Sequence, residues 1–261
     1  RMVERLEIPW PQIADGKVDQ GEVPRLFRID DVPNFVLIDR AGRLAGRASS
    51  DREVEKRIPD LLAPATFTPA PPPSPRDAWQ RPQQLMDLLG VMAGTRVADI
   101  GAGDGYFTFH LAARVGGSGR VYAVDIDNNA LERLKERAER EGLPQVSTVP
   151  SAPDDPRLDA ASVDVVLVVN AYHEFRDFDA MMRGMAAALA PGGRLAILDH
   201  HGPIGRPRAD YHQRHNIPAE LVIEDGARHG LRLVRFEHDF AGPQRDRDRY
   251  YLVVLERPSG N

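Results

Sequence analysis

Val97-Ala98-Asp99-Ile100-Gly101-Ala102-Gly103-Asp104-Gly105-Tyr106-Phe107 is the stretch that decides how this chain folds. An apolar run carrying one acid reads as a buried strand, the alternating glycines as a tight turn, and the residues from Tyr106 onward as a helix. Glycine stands where a turn needs positive φ and where a ligand must reach bare backbone. Twenty residues beyond Gly105, Asp125 ends the next apolar run. A carboxylate there can accept hydrogen bonds from two ribose hydroxyls, so a nucleoside-bearing ligand is expected at the switch point of a parallel sheet.

Working outward, strand patterns at residues 96–100, 121–125, 146–149, 163–170, 194–199, 231–238 and 250–256 alternate with helical ones near 106–115, 128–141, 178–190 and 218–229. The last two strands have no helix between them and should pair antiparallel. The expected fold class is therefore α/β: a Rossmann-like, seven-stranded, mostly parallel sheet with helices on both faces and a C-terminal antiparallel pair. Six prolines between Pro64 and Pro75 mark a semi-rigid spacer, residues 63–76, dividing residues 1–62 from residues 77–261. In the first part, Phe35-Val36-Leu37-Ile38 and Leu44 to Ala48 read as a hairpin, followed by a helix capped by Ser50 or Asp51 and running to Leu62.

The 261 residues contain no cysteine and carry a net charge of −5. Disulfides, thiolate nucleophiles and cysteine-ligated metals are excluded. An acidic chain argues against nucleic acid or an anionic membrane as the main partner, and no apolar run reaches membrane-spanning length. No signal-peptide pattern opens the sequence, so a cytoplasmic setting is expected, with an export signal upstream of Arg1 left open.

The alternating Gly101, Gly103 and Gly105, with Asp99 two residues before the first, resemble motif I of class I S-adenosylmethionine-dependent methyltransferases. Dinucleotide-binding turns space their last glycine differently, which disfavours a nicotinamide-dependent oxidoreductase. Leu189-Ala190-Pro191-Gly192-Gly193-Arg194, ahead of a strand ending in Asp199, resembles the same family's segment before its fifth strand. With Trp79-Gln80-Arg81-Pro82, the resemblance points to small-molecule enzymes related to the quinone-biosynthesis group. It implies S-adenosylmethionine as cofactor and in-line methyl transfer to a small acceptor, with a non-catalytic cofactor-binding module as the alternative. In the N-terminal part, Ile8-Pro9-Trp10-Pro11-Gln12 and Val32-Pro33-Asn34-Phe35 resemble the C-terminal half of a thioredoxin-like domain without its redox cysteines. Such an incomplete sheet would leave an edge strand to be covered, and a homodimer through this segment is one way to do so.

By the methyltransferase resemblance, Asp99, Gly101, Ala102, Gly103, Gly105 and Tyr106 would hold the methionine moiety, Asp125 the ribose, and Ile126 the adenine face. Asp154 or Asp155 would accept from the adenine amino group, and the segment leaves that choice open. Asn170-Ala171-Tyr172-His173-Glu174 follows the fourth strand of the sheet. Asn170 is placed to orient cofactor or acceptor, and His173, with Glu174 beside it, to take a proton, since imidazole titrates near neutrality. His200, His201, His212 and His215 cluster in sequence with Asp199 and His173. Adjacent strand residues face opposite sides, so a polar acceptor pocket is expected there rather than a metal. Trp79, Tyr106, Phe175 and Tyr211 read as pocket walls or packing, and Met181, Met182 and Met185 as core.

Overall fold

The structure is a computed structural model and describes residues 35–38, 44–48, 50–62, 70–241 and 250–259. The chain divides into two compact units, Arg1–Ala63 and Pro64–Asn261. In the first, strands β1 (Phe35–Ile38) and β2 (Leu44–Ala48) pair antiparallel, and helix α1 (Asp51–Leu62) follows. Ser50 caps that helix, its hydroxyl accepting from the Glu53 amide at 3.4 Å. The hairpin and helix occupy the residues expected for them. The Ile-Pro-Trp and Val-Pro motifs compared with thioredoxin-like domains lie outside the described residues.

The second unit opens with two short helices absent from the sequence reading, α2 (Asp77–Gln80) and α3 (Pro82–Leu89). Pro82 sits at the first helical position of α3, where its missing N–H is no loss. Then come β3 (Arg96–Ile100), α4 (Tyr106–Val115), β4 (Arg120–Asp125), α5 (Asn128–Arg140), β5 (Val146–Pro150) and β6 (Val163–Val169). A 3-10 turn at Tyr172–Glu174 leads to α6 (Phe178–Ala188) and β7 (Leu189–His200). Helices α7 (Arg208–Arg214) and α8 (Ala219–Arg228) precede β8 (Arg232–Ala241) and β9 (Tyr250–Glu256).

The sheet runs in the order β5-β4-β3-β6-β7-β9-β8. Strands β3 to β7 are mutually parallel, and β9 is antiparallel to both β7 and β8. Alternation across the pleat divides the core in two: Val97 of β3 joins the cluster containing α3, α4 and α5, while Ala98 and Ile100 join the one containing α6 and α8. Met181, Met182 and Met185 are core, at most 2% exposed. Because both faces are covered, β6 reads as an almost unbroken apolar run, Val-Asp-Val-Val-Leu-Val-Val.

One boundary moves substantially. The strand expected to begin at Arg194 begins at Leu189, since Val163 pairs with Leu189 and Val165 with Arg194. Residues 190–193 therefore bulge from β7, with Gly192 at φ +77° supplying the turn. The sheet order reverses between β3 and β6, and a crevice at their C-terminal ends is where ligands bind such folds.

Candidate active site

All three loop glycines are left-handed, with φ of +75° at Gly101, +53° at Gly103 and +80° at Gly105. Two of them are also held by space. A Cβ on Gly101 would lie 2.5 Å from Ala171 Cβ, and one on Gly105 would lie 2.7 Å from the Phe109 ring. At Gly103 a Cβ would meet nothing within 4 Å, so this residue presents bare backbone to open space. Its amide donates to Asp125 Oδ2 at 2.8 Å, and Asp125 Oδ1 accepts from the Asp127 amide at 2.9 Å. Next to Asp125 at the end of β4, Ile126 is 59% exposed, an apolar side chain left in water beside a carboxylate.

Asp99 lies beneath the turn, almost fully buried, and accepts from Thr108 Oγ1 at 2.6 Å. Burial pushes its pKa up to about 6; the Thr108 hydrogen bond opposes that shift, and the charges of Asp125 and Asp104 add to it. Tyr106 begins α4 and donates its hydroxyl to Asp77 at 2.5 Å, while Arg76 lies over its ring, 4.0 Å from the centroid. Past β5, Asp155 spends Oδ1 on the Arg157 amide at 2.7 Å inside its own turn, and the neighbouring Asp154 is exposed.

Across the crevice, Asn170 is exposed and carries φ +52°, a conformation uncommon for residues other than glycine. Three residues on, His173 is buried with Nδ1 2.7 Å from Asp199 Oδ1, and both side chains are fully enclosed. A carboxylate can only accept, so Nδ1 carries the hydrogen and the lone pair of neutral imidazole lies on Nε2. Burial alone would lower the His173 pKa, but the hydrogen bond and charge of Asp199, reinforced by Glu174, leave it raised. Nε2 itself is buried and has no hydrogen-bond partner, with Glu174 Oε1 3.7 Å away.

The turn bearing His173 is fastened by a residue that sequence reading passed over. Asp225 of α8 is fully buried and accepts from the Tyr172 hydroxyl at 2.7 Å and from Arg208 and Arg228. An aspartate beside Val222 and Gly226 on the buried face of a helix was the available signal. Of the expected aromatic walls, Tyr211 is core, with its hydroxyl on the Pro203 carbonyl at 2.8 Å. Phe175 packs on Tyr172, and Trp79 on Tyr250. His200 and His201 part company as their alternation requires: His200 stacks on Tyr250 and His201 on His238.

A glycine turn thus faces an acid-tipped second strand at the switch point of the sheet. Residues 97–193 match the methyltransferase domain family. The chain is similar to the ubiquinone/menaquinone biosynthesis C-methyltransferases UbiE of Idiomarina loihiensis and Vibrio campbellii. It is 30% identical to the first over 127 residues, covering 48% of this chain and 50% of that one. To the second it is 30% identical over 153 residues, covering 56% and 58%. The chain thus spans only half to three-fifths of the length of these curated relatives. Among solved structures, an S-adenosylmethionine-dependent methyltransferase from Aquifex aeolicus superimposes with a TM-score of 0.60 at 21% identity, covering 71% of this chain and 94% of that one. The [4+2]-cyclase SpnF gives 0.60 at 14% identity, covering 69% and 82%. The seven-stranded unit has the Rossmann-like methyltransferase fold. Among the described residues, no helix is long and apolar enough to cross a membrane.

Proposed function

We propose that this chain is an S-adenosylmethionine-dependent methyltransferase acting on a small-molecule acceptor. The observation that carries this reading is the cradle itself: bare Gly103 backbone, the Asp125 carboxylate and the exposed Ile126 converge at the switch point of a methyltransferase fold. In this reading Gly101, Ala102, Gly103, Gly105 and Tyr106 surround the methionine moiety, with the Asp99 charge beneath it. Asp125 accepts from the ribose hydroxyls and Ile126 covers the adenine. Asp154 is favoured over Asp155 for the adenine amino group, because Asp155 already satisfies its own turn.

The reaction breaks the sulfonium carbon–sulfur bond and forms a bond from the methyl carbon to the acceptor atom, leaving S-adenosylhomocysteine and one proton. Alignment of a good nucleophile can supply roughly 7 to 11 kcal/mol of the barrier. Asn170 orients the acceptor, and His173, held by Asp199 with Glu174 alongside, receives the proton. The reading carries with it a small-molecule partner rather than nucleic acid or membrane, a cytoplasmic setting, and a homodimer formed through residues 1–62.

The likeness to SpnF favours a second reading, because a cyclase has the same fold and fold alone does not fix the reaction. In it, the cofactor is bound without methyl transfer. Titration calorimetry of the full chain with S-adenosylhomocysteine and with a nicotinamide dinucleotide is the first test. Saturable binding of the former alone is expected, and binding of the dinucleotide alone rejects the proposal. Methyl release from labelled cofactor across an acceptor panel then separates transferase from binding module.

A further inference from the structure

His173 Nε2, Glu174 and His215 meet in a way that the methyl-transfer chemistry does not require. Their ligand atoms all lie within 4.8 Å of one another. Glu174 Oε1 is 3.7 Å from His173 Nε2 and 3.5 Å from His215 Nδ1. These spacings are long for hydrogen bonds. They are close to the separation of about 3.0 to 3.5 Å between neighbouring ligands that each sit about 2.1 Å from one ion. The two imidazoles approach edge to face, 5.5 Å between centroids, so neither blocks the other's nitrogen.

Two features of His173 point to a ligand beyond its ring. Nε2 of a fully enclosed histidine is left without a hydrogen-bond partner. A buried acceptor of that kind is unfavourable unless something fills the position. On the far side of the ring Asp199 takes the Nδ1 hydrogen, the carboxylate–histidine arrangement that fixes the tautomer and orientation of metal-bound imidazole. His215 is itself the left-handed residue, φ +51°, that caps α7. The one comparable cluster among the described residues, His201, His238 and Asp239, lacks this: His201 Nε2 is already engaged at 2.6 Å with the His238 carbonyl.

We infer that His173 Nε2, Glu174 and His215 Nδ1 form a three-ligand site for a divalent first-row transition cation of the zinc, iron or manganese type. Two imidazoles and one carboxylate suit such ions and leave coordination positions open. Glu174 and His215 are exposed on their outer sides, so the open positions face solvent and the region following β6. There an acceptor oxygen can bind as a ligand. A cation held there would take up the Nε2 lone pair and would acidify such an oxygen, so its proton would pass to water, whereas the metal-free chain leaves Nε2 open to receive it. This departs from the metal-free pocket expected from sequence. Cation binding stands apart from the methyl-transfer proposal, because it needs no cofactor; ligation of the acceptor rests on that proposal.

The test is titration of zinc alone, and separately of manganese, into the chelator-treated full chain, with S-adenosylhomocysteine affinity measured in parallel. One equivalent of zinc or manganese should bind, with affinity falling at least tenfold in His215→Ala and in Glu174→Gln and unchanged in His201→Ala. His215 and Glu174 are surface residues, so both variants should keep the wild-type unfolding midpoint. No saturable binding of either metal overturns the inference, as does binding that both variants retain or that His201→Ala abolishes. Loss of S-adenosylhomocysteine binding with metal binding intact would instead count against the methyltransferase reading alone.

Discussion

The Gly103 amide donates to the Asp125 carboxylate at 2.8 Å, joining the two halves of the proposed nucleoside cradle across 22 residues of sequence. A second hydrogen bond, from the Asp127 amide, occupies the other oxygen. A carboxylate offers about four acceptor positions, so two remain for ribose hydroxyls while the backbone bonds hold the group in place. Each hydrogen bond to a charged acceptor contributes about 1.5 to 3 kcal/mol. Asp125→Ala should therefore weaken S-adenosylhomocysteine binding by about a hundredfold or more in calorimetry. A change below threefold would remove Asp125 from the proposed ribose role.

Asp99 gives a pH signature. Its pKa in the folded chain is about 6, above its ordinary value near 3.8, so between these the folded state holds a proton that the unfolded state releases. Stability should fall as pH rises through that window and stay lowered above it, by about 3 kcal/mol at most. In Asp99→Asn the penalty is absent, and the amide oxygen still accepts from Thr108. The variant should be more stable than the parent at pH 8 by roughly 1 to 3 kcal/mol, with the gap closing at pH 4, in urea unfolding. Equal stability at both pH values would mean that Asp99 carries no such burden.

Gly101 and Gly103 should separate under alanine substitution. Gly103→Ala adds a methyl to open space at φ +53° and should cost only about 1 kcal/mol of stability while lowering cofactor affinity. Gly101→Ala drives a Cβ to 2.5 Å from Ala171 and should cost more than about 2 kcal/mol. Part of that loss should return in the double variant with Ala171→Gly. Denaturant titration of the three proteins checks the ranking.

Breaking the buried hub at Asp225 leaves two arginines and a tyrosine hydroxyl without their shared acceptor. Removing one partner of a buried ion pair costs about 3 to 5 kcal/mol, so Asp225→Ala should lower stability by that amount. Tyr172→Phe should cost nearer 1 kcal/mol. If Asp225→Ala unfolds at the same urea concentration as the parent, the hub holds nothing.

The cradle was legible because its cause is local. A turn that must take positive φ and admit a ligand selects glycine wherever it occurs, and Asp125 is fixed by the strand that it ends. The strands were legible to within a residue or two where both faces are buried. The start of β7 was not, because Pro191-Gly192-Gly193 signals a break and the bulge that absorbs it depends on pairing with β6. Helices α2, α3 and α7 were missed because each is at most eight residues long, too short for periodicity to emerge. The contacts around His173 depend on which residues three separate segments bring together. Asp199 and His215 were visible as polar residues near it in the expected fold, but nothing in their spacing specified a 2.7 Å contact or an unpartnered nitrogen.

Strand β9, the last of the sheet in sequence, lies inside it, between β7 and β8. Synthesis therefore completes β8 before its only neighbour exists. Until β9 has left the ribosome, Leu233, Val234 and Phe236 belong to a strand with no ladder to join, although strands β3 to β7 already have all their parallel partners. The order of pairing imposed by this topology makes β9 the strand that closes the sheet, and leaves β8 a segment that the nascent chain must shield until β9 emerges.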